Sequence, residues 1–199
     1  MTKSNPQSNT PPPARRQPQA RQHARCVVSN SQYACRVREL QRLRGDHVDA
    51  VLAFELANRT YFAGFITDRG DDFYERHVEH HRELLADQDR GTCIFHLLVD
   101  QDGAIIGRFN LYDLADDSAE VGYRVAQSAA GRGVATSGLR ELCRRAQTEY
   151  GLRMLTAKTR STSHASRRVL EKAGFSAVET CEVAGQQGIR STLQLTPAV

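Results

Sequence analysis

The stretch AAGRGVAT, residues 129–136, constrains the fold more than any other part of this sequence. It joins a strand-like segment, GYRVA, to a helix-like pattern, and its two glycines let the backbone approach a ligand closely. If a helix begins here, the backbone N–H groups of residues 131–136 have no partner inside it. Together with the helix dipole they favour an anion, for which a pyrophosphate is the natural occupant. The stretch therefore predicts a strand–turn–helix junction that can hold a phosphate group.

Two other phosphate-binding loops do not match this stretch. A Walker A loop ends in Gly-Lys-Ser/Thr, and that ending is missing here. A dinucleotide-binding turn belongs to a strand–helix–strand unit, whereas hairpins are predicted to connect the strands that precede this turn. A Gly-rich turn without a ligand has the same local pattern, so the stretch alone leaves both interpretations open.

Hydrophobic periodicity predicts an α/β domain built around a mostly antiparallel sheet, with no internal repeat. The predicted element order is β-α-α-β-β-β-α-β-α-β-β. HVDAVLAFELAN is expected to form the first helix, with Leu56 on its apolar face. RTYFAGFITDRG is expected to be a loop, and a second helix then begins at Asp71 with Val78 on its apolar stripe.

Two motifs in this order, GYRVAQSAAGRGVAT and SHASRRVLEKAGF, resemble the acetyl-CoA-binding core of the GNAT N-acetyltransferase superfamily. The similarity covers roughly residues 37–195 and is closest to the RimJ/RimL type, which acetylates N-terminal amines of ribosomal proteins. The resemblance implies a mixed, mostly antiparallel sheet flanked by helices, with a splayed central strand pair. It also implies acetyl-CoA as the cosubstrate, with pantetheine in the wedge between the splayed strands and pyrophosphate in the Gly-rich turn.

The resemblance assigns the acetyl-CoA contacts residue by residue. Tyr123 and Val125 occupy the splayed strand, where backbone groups around Val125 would pair with pantetheine and polarise the thioester carbonyl. Ser166 matches the serine of the family's Asn-x-Ala-Ser stretch. The pyrophosphate loop comprises Gly131, Arg132, Gly133, Val134, Ala135 and Thr136.

Three positions depart from the family pattern. Ala130 stands where many members have Gln or Arg, which removes a side-chain contact to the loop but none of the backbone donors. Ser163 replaces the usual Asn and weakens one polar contact near the pantetheine. Leu170 occupies the position where many members place a tyrosine proton donor, so a general acid must come from elsewhere or from solvent.

Acetyl transfer by direct attack needs a neutral amine, and the leaving thiolate benefits from a nearby donor. By resemblance, Glu120 matches the glutamate that RimJ/RimL-like proteins carry on the strand before the turn, where it can accept the ammonium proton directly or through a water. Ser128 lies where similar proteins can place a serine near the thioester. An exposed strand-end carboxylate and an ordinary turn serine are the alternative interpretations of these two residues.

Asn110 and Tyr112 alternate with apolar residues on the neighbouring strand. One face of that strand is expected to border the acceptor groove, so both are candidates for substrate binding. Asn110 would then orient the amine. A purely structural hydrogen bond is an equally open interpretation.

No metal site is expected. His77 and His81 share a helix face, but no third ligand has a suitable spacing, and packing at the edge of the apolar stripe is favoured. The five cysteines are scattered without C-x-x-C spacing. Such a set is typical of reduced thiols rather than of a disulfide framework or a zinc site.

Residues 1–25 differ from the rest of the chain in composition. They carry five cations and no acid, so the remainder of a chain with a total charge of +4 carries −1. They also hold five of the six prolines, which predicts a disordered tail before one domain at 26–199. A basic tail can attract the ribosome electrostatically, although a solvated extension without function is favoured. Because no secretory signal or bilayer-long apolar segment is visible, the sequence predicts a cytoplasmic protein with no membrane partner.

The leading hypothesis is an enzyme that moves acetyl from acetyl-CoA to a primary amine, with the N-terminal amine of a ribosomal protein favoured. Residues 54–91, which cover the acceptor side in this fold, hold nine acidic residues against five arginines, and this excess favours a cationic acceptor. Acetylation of a small amine, including an antibiotic, is the alternative. A non-catalytic CoA-binding or ribosome-binding module is a third hypothesis, and the sequence leaves a monomer or a homodimer open.

Overall fold

The computed structural model describes residues 1–2 and 38–195. Nearly all of the predicted tail at 1–25, and its boundary with the domain at 26–199, lie outside these residues and stay predictions. The described part contains seven strands: β1 (Glu39–Arg42), β2 (Ile94–Val99), β3 (Ile105–Ala115), β4 (Ser118–Val125), β5 (Met154–Arg160), β6 (Ser176–Val183) and β7 (Gln186–Gln194). Its α-helices are α1 (Val48–Ala63), α2 (Asp71–Glu75), α3 (His77–Asp89), α4 (Val134–Thr148) and α5 (His164–Lys172). None of these described helices combines the length and the apolar character needed to cross a membrane.

The seven strands form one sheet in the order β1-β2-β3-β4-β5-β7-β6. Every neighbouring pair is antiparallel except β4 and β5, which run parallel. The helix α4 supplies the crossover that a parallel pair requires. The predicted fold class, a mixed and mostly antiparallel sheet flanked by helices, is confirmed.

Helices pack on both faces of the sheet, and side chains that alternate along the strands divide the core between them. On one face, α4 approaches β3 so closely that a Cβ at Gly138 would lie 2.4 Å from the Phe109 ring. On the other face, Val51 of α1 and Leu84 of α3 pack with Leu97 of β2. Because the Gly-rich turn leads directly into α4, the packing of α4 on Phe109 also fixes the position of the turn.

Two helices differ from the prediction. The helix α1 continues to Ala63, through the first part of the segment expected to be a loop, because Phe62 is buried in the core. The predicted second helix is interrupted at Arg76 and forms α2 and α3. Leu56 and Val78, both predicted on apolar faces, are exposed. The inward face of α1 carries the polar residues Glu55 and Asn58 beside its apolar ones, and these two belong to the site described below.

Candidate active site

The parallel strands β4 and β5 separate soon after they begin. They pair where residues 118–120 lie beside residues 154–156, and both strands continue beyond this ladder. The Ala126 N–H donates to the Ile106 carbonyl of β3 at 2.9 Å. Because the carbonyl and the N–H of one trans peptide point in opposite directions, the Val125 carbonyl points away from β3 and into the gap. The free edge of β4 thus offers backbone hydrogen bonds to a ligand between the strands.

Tyr123 of β4 reaches across this gap to α5, the helix that follows β5. Its hydroxyl oxygen lies 2.9 Å from the Ser166 hydroxyl oxygen and 3.2 Å from the Ser166 carbonyl oxygen. Its ring stacks on Phe109, with the ring centroids 5.8 Å apart. Burial raises the pKa of Tyr123, and the hydrogen bond with Ser166 opposes this shift. Two residues that the sequence assigned to the cosubstrate are therefore in direct contact.

The Gly-rich turn presents backbone donors to open space. Gly131 and Gly133 adopt φ angles of +72° and +75°, and a Cβ built at either residue would meet no other part of the described chain within 4 Å. The Ser137 N–H donates to the Gly133 carbonyl at 3.0 Å, so the N–H groups of residues 134–136 have no acceptor inside α4. Gly133 supplies no side-chain cap. An anion would satisfy these donors, so the turn suits the pyrophosphate expected there.

The side chains around the turn differ in exposure. Arg132 is exposed, whereas Val134 is buried and anchors the start of α4 in the core. Ala135 and Thr136 are half-buried on the first turn of the helix. Ser163 immediately precedes α5, and its carbonyl accepts the Arg167 N–H at 3.1 Å while its hydroxyl does not cap the helix.

A buried asparagine, overlooked in the sequence, ties α1 to the residues before the glycines. The Asn58 Oδ1 atom accepts the Gln127 N–H at 2.9 Å, and its Nδ2 atom donates to the Phe54 carbonyl at 2.8 Å. Gln127 begins a short 3-10 turn, in which the next residue, Ser128, is exposed. Asn58 thus fixes the backbone beside Ser128. Phe54 and Asn58 are four residues apart and therefore lie on one helix face. This spacing is the sequence signal that could have indicated an inward-facing Asn58.

Glu120 lies where β4 and β5 separate, on the face of the sheet that α1 and α3 cover. It pairs with Thr156 of β5 and with Tyr112 of β3 in the strand register. Its Oε2 atom lies 2.6 Å from the Lys158 ammonium. Side chains alternate along β4, so Tyr123 and Val125 point to the opposite face. The structure therefore places Glu120 and the predicted cosubstrate residues on opposite sides of one strand.

Asn110 and Tyr112 contact each other on the same face as Glu120. The Asn110 Nδ2 atom donates to the Tyr112 hydroxyl at 2.8 Å, and Asn110 itself is buried. The Tyr112 ring lies over Gly122, where a Cβ would come within 2.7 Å of the ring. Asn110 thus orients the Tyr112 hydroxyl, and Gly122 makes room for the ring.

A buried ion triad joins α1 to β3 and β4 on this face. Arg108 and Arg124 are directly opposite each other in the strand register, a pairing of like charges that needs an anion. Glu55 of α1 supplies it, because its Oε1 atom lies 2.7 Å from an Arg108 nitrogen and 2.9 Å from an Arg124 nitrogen. No sequence motif indicated this triad. The spacing of Val51 and Glu55 is the signal that Glu55 faces inward.

The histidines of α3 bind backbone carbonyls. His81 is buried and bonds the Arg44 carbonyl at 2.8 Å, while His77 and His80 bond the carbonyls of Tyr74 and Phe73. Among residues 1–2 and 38–195, no group of three or more His, Cys, Asp or Glu side chains is placed to hold a metal ion.

The cysteines in the described residues are free thiols, at Cys93, Cys143 and Cys181. Burial raises the pKa of Cys143 to about 12, so this thiol is protonated at neutral pH. It lies on the buried face of α4 and packs in the hydrophobic core.

Known proteins resemble this chain in sequence and in fold. The profile of the family described as acetyltransferase (GNAT) domain matches residues 38–176. The probable N-acetyltransferase YjcK of Bacillus subtilis is 30% identical over 133 residues, which cover 62% of this chain and 72% of that protein. The ribosomal-protein-S5-alanine acetyltransferase from Vibrio fischeri gives a TM-score of 0.73 at 15% identity, over 79% of this chain and 92% of that one. Mycobacterium smegmatis RimJ, solved in complex with CoA-disulfide, gives a TM-score of 0.71 at 24% identity, over 79% of this chain and 82% of that one.

Both solved structures are less than 25% identical to this chain, so they show the fold alone. Together with the family match, they confirm the resemblance that the two sequence motifs carry.

Proposed function

This chain belongs to the GNAT acetyltransferase family, and from that premise we propose that it acetylates the N-terminal amine of a protein with acetyl-CoA as the donor. The observation that carries the proposal is the opening between β4 and β5 beside the uncapped N-terminus of α4. A thin, extended pantetheine arm can hydrogen-bond the free edge of β4 at Val125. The pyrophosphate would then reach the N–H groups of residues 134–136.

Side chains around the gap complete the proposed acetyl-CoA site. Tyr123 and Ser166 bridge the gap from β4 to α5 and would form one wall of the pantetheine channel. Arg132, exposed at the turn, can add positive charge beside the pyrophosphate. Ser163, the residue before α5, is proposed as a further polar contact near the pantetheine.

Glu120 is the proposed general base. The acceptor ammonium gives a proton to Glu120, directly or through a water, and the freed lone pair attacks the acetyl carbonyl carbon as the carbon–sulfur bond breaks. As the amide forms, the attacking nitrogen loses its second proton to solvent, and the thiolate that leaves takes up one proton, so the amide and the thiol are both neutral. Leu170 is buried in the core at the position where a tyrosine donor is common, so the proposed source of this proton is solvent or the exposed Ser128 hydroxyl.

Tyr112 and Asn110 are proposed to border the acceptor on the Glu120 face. Tyr112 is half-buried and lies directly opposite Glu120 in the register, which brings its hydroxyl to the acceptor side. Asn110 is buried, so its proposed role is to orient the Tyr112 hydroxyl.

A protein N-terminus is favoured by analogy with enzymes of similar fold such as the ribosomal-protein-S5-alanine acetyltransferase, which is named for a ribosomal protein. A small amine is the second candidate acceptor. Ribosome contact through the basic tail, and a monomeric or homodimeric state, stay predictions.

The test uses the purified full chain with acetyl-CoA and separate panels of N-terminal peptides and small amines. Release of free thiol and the mass of each product are measured. Acetylation of peptide α-amines, lost in Gly133→Asp, supports the proposal. Turnover with small amines alone would move the assignment to a metabolite or resistance enzyme. Tight acetyl-CoA binding without turnover in either panel would contradict a catalytic role.

A further inference from the structure

A pocket on the acceptor side lies between α1, residues 64–70 and Arg124 of β4; we refer to it as the Arg124 pocket. Its apolar wall includes Phe62, over whose ring the Arg124 guanidinium lies at 5.5 Å from the centroid. Its charged and phenolic lining residues are Glu55, Arg59, Asp68, Arg69, Tyr74 and Arg124.

The buried ion triad, of which Glu55 and Arg124 line the Arg124 pocket, carries excess positive charge. Arg108 and Arg124 share one carboxylate, Glu55, and both contact the same oxygen atom of it. The triad therefore has a net charge of +1, and the buried Arg108 Nε atom has no hydrogen-bond partner among the described residues. Burial lowers the pKa of Arg124 to about 10, with Glu55 opposing the shift and Arg108 reinforcing it. Buried excess charge of this kind is unfavourable unless a counter-ion joins it.

The rim of the Arg124 pocket does not supply that counter-ion. Asp68 accepts hydrogen bonds from Arg59 Nε and Nη2, and Asp71 accepts one from Arg59 Nη1 at 2.6 Å. Arg69 stacks on the Phe73 ring and is in no ion pair within the part of the chain that the structure describes. Each carboxylate that lines the pocket is thus already engaged by a guanidinium, so the lining holds no free anion to balance the charge of the triad.

We propose that the acceptor carries an anionic group, a carboxylate or a phosphate, that binds Arg124 in this pocket. The proposal rests on the proposed function, because it concerns the acceptor of that same reaction. Charge-assisted bonds from a guanidinium to such a group are among the strongest in proteins, and they would balance the charge of the triad. The acidic excess of residues 54–91 predicted a cationic acceptor. An anionic group on the acceptor is proposed instead, because arginines already engage the carboxylates that line the pocket.

The position of Arg124 limits the shape of the acceptor. Glu120 and Arg124 lie on one face of β4, four residues apart, which corresponds to about 13 Å between their Cα atoms. The reacting amine and the anionic group are therefore separated by several bonds. A peptide with an acidic side chain within about its first four residues meets this requirement, since an extended chain advances about 3.3 Å per residue. A small amine with a distant carboxylate meets it too.

The test compares matched acceptors that differ in one charge. One arm uses N-terminal peptides with Glu or Gln at one of positions two to four, and the other uses small amines with a carboxylate or a carboxamide. We expect kcat/KM to be about tenfold higher for the charged member. This ratio should fall to near one in Arg124→Met and fall less in Arg124→Lys. Arg90→Met is the control, because Arg90 forms an exposed pair with Asp87.

If only the peptides show a higher kcat/KM for the charged member, the acceptor is an acidic protein N-terminus. If only the small amines show it, the acceptor is a small carboxylated amine. A ratio of one in both arms, or a ratio that Arg124→Met leaves unchanged, overturns the proposal. Urea unfolding verifies that Arg124→Met folds, since Glu55 keeps its bond to Arg108.

The proposed function fails separately, either when only small amines are acetylated, a case that the small-amine arm still tests, or when acetyl is transferred to no acceptor at all. Calorimetry with the acetylated compounds and CoA still measures the charge preference in the second case. Equal Kd values for the charged and neutral members overturn the proposal without any turnover.

Discussion

The Lys158 ammonium lies 2.6 Å from the Glu120 carboxylate at the point where β4 and β5 separate. The two side chains are 34% and 29% exposed, so this pair contributes less than about 1 kcal/mol to stability. Glu120→Gln should therefore fold normally but lose the proton acceptor. We expect kcat to fall about 100-fold, with the Kd of acetyl-CoA unchanged. Thiol-release kinetics measure kcat, calorimetry measures the Kd of acetyl-CoA, and urea unfolding measures the stability of the variant.

A control for Glu120→Gln is Glu141→Gln. Glu141 forms a pair of comparable exposure with Arg144 in the middle of α4, outside the strands that carry Glu120 and Lys158. Its loss should leave kcat unaltered. Equal kcat values for Glu120→Gln and the wild-type chain would remove Glu120 from the mechanism.

Gly133→Asp should weaken acetyl-CoA binding through charge rather than through backbone strain. The aspartate places a negative charge at the N–H groups of residues 134–136, where the pyrophosphate is proposed to bind, so we expect Kd to rise at least about tenfold. Gly151→Asp is the control, because Gly151 has a similar φ of +68° and equally open surroundings after α4. Both variants should lose similar stability in urea. A Kd that rises equally in both would assign the effect to strain.

The fold was predictable where local pattern decides the structure. A short apolar run identifies β2, alternating apolar residues identify β3 and β4, and the glycines at 131 and 133 identify the turn before α4. The end of α1 was not predictable in this way, because Phe62 is held in helix by core packing rather than by its neighbours in sequence. Tertiary contacts override local propensity at such positions.

The candidate site was predictable for residues in motifs and not for residues whose partners are remote. Tyr123 and Ser166 were assigned through the motifs, and the structure brings them together. The contact of Glu55 with Arg124 depends on how α1 crosses the sheet, which no local pattern specifies. Lys158 likewise meets Glu120 only because β4 and β5 are neighbours in the sheet.

Gly138→Ala should destabilise the protein although alanine is the better helix former. A methyl group at this position would lie 2.4 Å from the Phe109 ring, and overpacking of this kind costs about 1–3 kcal/mol. The gain in helix propensity is about 1 kcal/mol. Urea unfolding should therefore show a lower free energy of unfolding, whereas Ser137→Ala, on the exposed side of α4, should change it little. A more stable Gly138→Ala would show that α4 can shift away from β3.

His96 is fully buried beneath α4 and is held as a neutral ring. Its Nδ1 atom lies 3.2 Å from the Phe109 carbonyl, which can only accept, so Nδ1 carries the proton. Its Nε2 atom lies 2.8 Å from the Tyr150 hydroxyl, which then donates. Burial lowers the pKa of His96 to about 4, from an ordinary value of 6.5, while the hydrogen bond to Phe109 opposes the shift.

The lowered pKa of His96 predicts a stability that falls on acidification. Between pH 6.5 and 4 the unfolded chain binds a proton that the folded chain does not, so the stabilising contribution is complete above pH 6.5 and is lost as pH falls. The loss reaches roughly 3 kcal/mol. Urea unfolding at pH 7 and pH 4.5 should therefore show a smaller change for His96→Gln than for the wild-type chain, whereas His164→Gln, at an exposed position, should match the wild type. Equal changes in all three proteins would mean that His96 titrates normally in the folded state.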